Sequence, residues 1–202
     1  WMHLEAARAL FHADEFAKAV SVCRRALAKY PDAGRLWEVC GLSHWMSGDI
    51  AAALPALETA SILVPLAPLA QLALAAAYAW ADKPDLARTV YTHLADLPVF
   101  PVPLMPRLAA GLGRVGEYAT ALAVCEKIVE LRPDYHAAWF GIAFYLRKLG
   151  RPVGDTVPPL ERAVELAPDE DVYRRISANP RVISAARALS PNPAPIAAPQ
   201  PM

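Results

Sequence analysis

The side chains in this sequence best suited to bind a metal or move protons near neutral pH are five histidines: His3, His12, His44, His93 and His136. None has a second ligand at helix spacing, so none points to a metal centre. Cys23, Cys40 and Cys125 make an odd count without paired spacing, which argues against a disulfide framework. Gly111, Gly113 and Gly116 spell G-x-G-x-x-G, the spacing with which a loop cradles phosphate. No strand precedes them and they fall at a helix end, so the match carries no nucleotide site. No Ser, His and Asp set has the spacing of a triad. Glu161 and Glu165 share one helix face, but two carboxylates on a solvated surface need no catalytic explanation. The expectation is a non-catalytic chain with no cofactor and no metal.

The elements that would position any site are set by an internal repeat. Small residues recur every 34 positions at Ala7, Gly41, Ala75, Ala109 and Ala143. Ala19, Ala53, Ala87 and Ala121 form a second series, and the turn residues Asp14, Gly48, Asp82, Gly116 and Gly150 a third. Pro31, Pro65 and Pro133 lie on a fourth, whose missing member falls at Val99 beside Pro98 and Pro101. Phased series of this kind mean a stack of similar units, none able to bury its apolar face alone. Cys23 and Cys125 occupy one place in their units, where Leu57 and Tyr91 sit in the intervening ones. A place that accepts Cys, Leu or Tyr is a packing position, so these thiols are expected to be buried and inert.

One unit can be read residue by residue. Trp37, Cys40, Gly41 and His44 make one stripe of a helix. Gly48-Asp49 ends that helix with a residue able to take positive φ. A second helix carries Ala53, Leu57 and Ala60 on one face, and Pro65 blocks its continuation. Gly41 and Ala53, with their equivalents, allow the two helices to approach closely. His44 is expected to pack or to sit at the helix end.

This pattern resembles the tetratricopeptide repeat (TPR) family, which places Trp, Leu-Gly, Tyr, Ala, Phe and Pro across 34 residues. The second unit reads Trp37, Cys40-Gly41, His44, Ala53, Leu57, Pro65; the fourth reads Met105, Leu108-Ala109, Leu112, Gly116, Tyr118, Ala121, Cys125, Pro133. The resemblance implies an all-α, right-handed α-solenoid of about five helix-turn-helix units with C-terminal capping helices. Units are expected at 1–33, 34–67, 68–101, 102–135 and 136–168, with the cap at 169–190. The third unit has Gln71 where Trp falls in the pattern, and Pro84 opens its second helix. In the fifth, one extra residue is placed in a loop Arg151–Asp155, between Pro152 and Pro158. Asp169–Ser177 and Arg181–Leu189 read as short helices, and residues 191–202 as a Pro-rich disordered tail.

The resemblance further implies a concave groove lined by the first helix of each unit. Carried over position by position, its residues are Leu42, Trp45 and Met46, then Leu72, Ala76 and Trp80, then Arg107 and Arg114, then Phe140, Phe144 and Arg147. Arg35 and Glu38 also fall on that face. The middle of such a groove is apolar and aromatic and its far end is basic. Covering ~400 Å² of it is worth about 10 kcal/mol gross at ~25 cal/mol per Å², before the costs of ordering two partners. The implied partner is a protein or peptide with an apolar stretch and an acidic end. The family's clamp for a chaperone C-terminal carboxylate uses Lys and Asn, whereas its places hold Leu4, Arg8, Val39, Leu69 and Ala73 here.

Composition limits the remaining classes. Lys plus Arg and Asp plus Glu balance at 20 each, which gives no electrostatic case for nucleic acid or an anionic membrane. Residues 59–81 carry enough uncharged length to span a bilayer, but Pro65 and Pro68 and the repeat phase place a helix end and a new helix there. No signal peptide is visible and a cytoplasmic protein is expected. Arg outnumbers Lys and Ala and Pro abound, as in GC-rich bacterial genomes. A structural or homo-oligomerising segment of a larger protein, a regulatory appendage of an enzyme, and a bacterial secretion chaperone of the TPR type stand beside the interaction module as alternatives.

Overall fold

The computed structural model describes residues 2–179. The predicted helix at Arg181–Leu189 and the tail 191–202 lie outside the described residues. The helices are α1 Met2–His12, α2 Phe16–Leu27, α3 Gly34–Met46, α4 Ile50–Leu63, α5 Pro68–Trp80, α6 Pro84–Ala95, α7 Met105–Arg114, α8 Tyr118–Leu131, α9 His136–Lys148, α10 Val153–Leu166 and α11 Asp171–Ser177. A 3-10 turn, Val102–Leu104, leads into α7. Among the described residues there is no strand, and the fold is the all-α stack of helical hairpins expected of a solenoid. The chain forms two compact units, Trp1–Val124 and Cys125–Met202, with the division inside α8.

Each hairpin turns where the backbone must enter the left-handed region. The positive-φ residues among those described are Asp14 (58°), Gly48 (83°), Asp82 (56°), Gly116 (85°) and Gly150 (71°), the whole of the third repeat series. Glycine takes this conformation without steric cost, and the short polar side chain of Asp tolerates it better than most. Pro65 separates α4 from α5, and Pro84 sits in the first turn of α6, where its missing N–H is no loss. The uncharged stretch 59–81 is thus divided between two helices. Among the described residues no helix is long and apolar enough to cross a membrane.

In unit 1 the hairpins α1–α2, α3–α4 and α5–α6 pack in sequence, and α5 also contacts α3 and α7. Ala19, Ala53, Ala87 and Ala121 are fully buried, as are Ala7 and Ala75. At Gly41 the helices are too close for any side chain: a Cβ there would lie 2.6 Å from Leu57 Cγ and 3.1 Å from Leu57 N. One buried cluster gathers around Ala7, Cys23, Leu36 and Cys40 and another around Leu42, Ala53, Leu57 and Leu74.

The loops between hairpins are tied back by side chains at repeat positions. Trp37 Nε1 donates to the Pro31 carbonyl at 2.8 Å, and in unit 2 Trp139 Nε1 donates to the Pro133 carbonyl at 2.8 Å. Gln71, the departure from the Trp pattern, keeps the function: its Nε2 donates to the Leu66 carbonyl at 2.9 Å. His44 sits at the end of α3 with Nδ1 3.2 Å from an Asp49 carboxylate oxygen, and Asp49 also caps α4 by accepting from Ala52 N.

Unit 2 contains the rest of α8 with α9, α10 and α11. Here α10 begins at Val153, so the expected loop to Asp155 is shorter than predicted, and Pro158 and Pro159 lie inside the helix. The short α11 is held by Tyr173, which is buried, with its hydroxyl 2.9 Å from His136 Nδ1 and its ring stacked on Phe140 at 4.7 Å. The three cysteines are buried and free. Burial pushes the Cys125 thiol up to about 12. The contact with Cys40 and then burial hold the Cys23 thiol above its ordinary range.

Candidate partner-binding surface

The predicted groove residues divide between the two units, and the structure sorts them by exposure. In unit 1, α3, α5 and α7 lie side by side. Trp80, the last residue of α5, is 63% exposed, and Met46, at the same place on α3, is 37% exposed. Trp45 is half-buried against the core, and the Arg107 guanidinium of α7 lies 5.4 Å from the centre of its ring. Ala76 of α5 is half-buried, so this layer is low between the larger side chains. Arg107 and Arg114 are both exposed. Arg114 lies against the buried Tyr91 hydroxyl and opposes the upward push that burial gives its pKa.

Two predicted groove residues belong elsewhere. Leu42 is 8% and Leu72 2% exposed, and Leu42 packs in the core with Leu57 and Leu74. Neighbouring side chains cover both, so they offer almost no surface. Glu38 is also buried, and its carboxylate accepts from Ala67 N at 2.7 Å and from Arg35 Nη1 at 2.7 Å. Arg35 donates in addition to the Pro65 carbonyl at 3.0 Å. This pair fastens the α4–α5 loop and is structural.

In unit 2, Phe140 and Phe144 are half-buried and Arg147 is exposed. Phe140 stacks on Tyr173, Phe144 meets Tyr145 edge-on at 5.3 Å, and Lys148 lies 5.5 Å from the Phe144 ring centre. Phe140, Phe144 and Arg147 line a cavity of about 290 Å³ together with Arg151, Leu160, Ile176 and Asn179. The repeat phase marks Phe140, Phe144 and Arg147; it misses Ile176 and Asn179 because the periodicity stops before them. Arg151 falls in the expected loop, and no sequence signal links it to this face.

Among the described residues no group of three or more His, Cys, Asp and Glu could hold a metal ion. In each unit the predicted positions that keep exposed surface carry apolar and cationic side chains.

Two sequence models of the tetratricopeptide repeat match the chain, over residues 1–41 and 41–97. The chain is a tetratricopeptide-repeat protein. No curated protein matches it by sequence. Among solved structures, YrrB, described as a TPR protein with an unusual peptide-binding site, superposes with a TM-score of 0.75 at 15% identity, over 87% of this chain and 90% of that one. MamA of AMB-1 gives a TM-score of 0.69 at 19% identity, over 87% of this chain and 95% of that one. MamA of MSR-1 gives 0.68 at 18% identity, over 81% and 94%. At these identities the likeness shows the TPR fold. TPR chains act as protein-interaction modules and are typically non-catalytic, and the fold serves many unrelated partners.

Proposed function

We propose that this TPR chain is a non-catalytic interaction module that binds a peptide or partner protein through the exposed faces of its first helices. In unit 1 the contact residues are Trp45, Met46, Ala76, Trp80, Arg107 and Arg114; in unit 2 they are Phe140, Phe144 and Arg147. The observation that carries the reading is Trp80, an indole 63% exposed at the end of α5, a helix without one charged residue. A large apolar side chain on an uncharged helix is costly to leave in water, and covering it with a partner recovers that cost. Trp, Met and Arg are also the residue types enriched at binding surfaces. Arg107 shields Trp45 in the free chain. Such a cation–π contact is worth about 0.5–1 kcal/mol at an exposed site, small enough for a partner to replace. The peptide-binding site of YrrB, a protein of similar fold, supports a peptide as ligand.

A cytoplasmic setting belongs to the same reading, and three buried free thiols are consistent with a reducing compartment. The test uses the purified chain and a variant carrying Trp80→Asp and Met46→Ser, two exposed positions, each immobilised and exposed to lysate of the source organism. A partner retained by the wild type and lost from the folded variant supports the module. Equal retention, or none together with a concentration-dependent dimer by light scattering, rejects it in favour of a structural or homo-oligomerising segment.

A further inference from the structure

The last described helix, α11, has 7 residues, whereas α9 has 13. Tyr173 of α11 reaches His136 and Phe140 in the first half of α9. The helix ends at Ser177, and Phe144 and Arg147 in the second half of α9 line the space left beside it. The floor is apolar: Phe140, Phe144, Leu160 and Ile176. The charged lining residues are Arg147 and Arg151, both exposed, and no acidic side chain lines the cavity among the described residues. Neither guanidinium is in an ion pair with another described residue, whereas Arg35, Arg88, Arg162 and Arg174 each have a carboxylate.

We infer that this cavity is a peptide subsite that takes an apolar side chain flanked by carboxylates, with Phe144 and Ile176 receiving the apolar group and Arg147 and Arg151 the acidic ones. The inference rests on the interaction-module reading and gives it a partner chemistry. A volume of about 290 Å³ lies at the small end of ligand pockets, enough for one or two side chains. Two unpaired guanidiniums beside an apolar floor complement an anion that brings its own apolar neighbour, and guanidinium matches carboxylate geometry in a fork.

The test uses the full chain and fluorescein-labelled octapeptides with a central Leu or Phe. One set has two glutamates on each side, a second has glutamines and a third lysines, and binding is read by anisotropy. The expected result is saturable binding of the glutamate set, at least about tenfold tighter than the glutamine set, weakening as salt screens the charges. Arg147→Ser with Arg151→Ser, at two exposed positions, should abolish that preference, and Arg147→Glu with Arg151→Glu should transfer it to the lysine set. Equal binding of glutamate and glutamine peptides, no binding of any set, or binding indifferent to the arginine variants overturns the proposal. Self-association of the full chain that disappears in the Arg147→Ser, Arg151→Ser variant also overturns it, by identifying a second copy as the occupant. The Trp80 variant separates the two ideas. If its partner capture is impaired while the octapeptides fail, the module stands and this subsite falls; if neither experiment finds a ligand, both fall.

Discussion

Replacing Gly111 by Ala should destabilise unit 1 through one contact. Gly111 lies on α7 opposite Tyr91 of α6, and a Cβ on it would come within 2.9 Å of the Tyr91 hydroxyl oxygen and closer still to two ring carbons. The Tyr91 ring cannot swing away, because it is 1% exposed. Overpacking of this kind costs about 1–3 kcal/mol, with the upper part of the range expected for a fully buried ring. Exchanging Gly for Ala inside a helix returns about 1 kcal/mol, leaving a net loss of up to about 2 kcal/mol. For a chain of this length that lowers Tm by roughly 4–8 °C. The assay is far-UV circular dichroism through heat and urea, comparing midpoints, since a repeat stack need not unfold in one step. Tyr91→Leu, which installs the type found at Leu57, supplies the second background. There Gly111→Ala should lose its cost and gain up to about 1 kcal/mol from propensity. Gly154→Ala is the control in open space, since its Cβ meets nothing within 4 Å; it should be neutral or stabilising. A midpoint unchanged or raised by Gly111→Ala with Tyr91 in place refutes the reasoning.

Three further outcomes are expected. Glu38→Ala should cost about 1–3 kcal/mol, because it leaves Ala67 N without its acceptor and takes the carboxylate from Arg35, which keeps only the Pro65 carbonyl; a midpoint within error of wild type would count against the clamp. Gly48→Ala should cost about 1–2 kcal/mol, from backbone strain alone, as nothing lies within 4 Å at φ +83°; Gly48→Asp should cost less, since Asp14 and Asp82 already hold this conformation, and equal losses would contradict the assignment. The Cys125 thiol, raised from 9.0 to about 12 by burial, should resist thiol reagents at pH 8 until the chain unfolds. Its folded pKa lies above its unfolded one, so its contribution to stability is complete below pH 9.0 and declines as pH rises toward about 12. Prompt labelling of the native protein would oppose this, and Cys125→Ala should flatten that part of the alkaline decline.

The candidate surface was legible in part. Trp45, Met46, Trp80, Arg107 and Arg147 stand on repeat positions whose outward direction follows from helix phase, and each retains exposed or half-exposed surface. Leu42 and Leu72 stand on similar positions and are buried. Phase gives a side chain's direction around its own helix; how far the next helix covers it depends on packing partners distant in sequence. Glu38 reads as a surface acid for the same reason, because its acceptor role depends on a backbone N–H 29 residues away.

Repeat length, helix pairing and the turn at each hairpin can all be read along the chain. Those turns are local: a positive φ selects Gly or Asp whatever the rest of the chain does, and the same five positions carry both the signal and the conformation. Close approach at Gly41 was legible for a similar reason, since the repeat shows a small residue there in every unit. Packing alone reveals that Gly111 makes room for Tyr91 and that Arg147 and Arg151 meet Ile176 of α11 around one cavity. It also decided that Gln71 replaces a tryptophan's hydrogen bond. Each of these depends on the fit between a residue and a neighbour brought to it by packing, and side-chain shape against side-chain shape has no period along the chain.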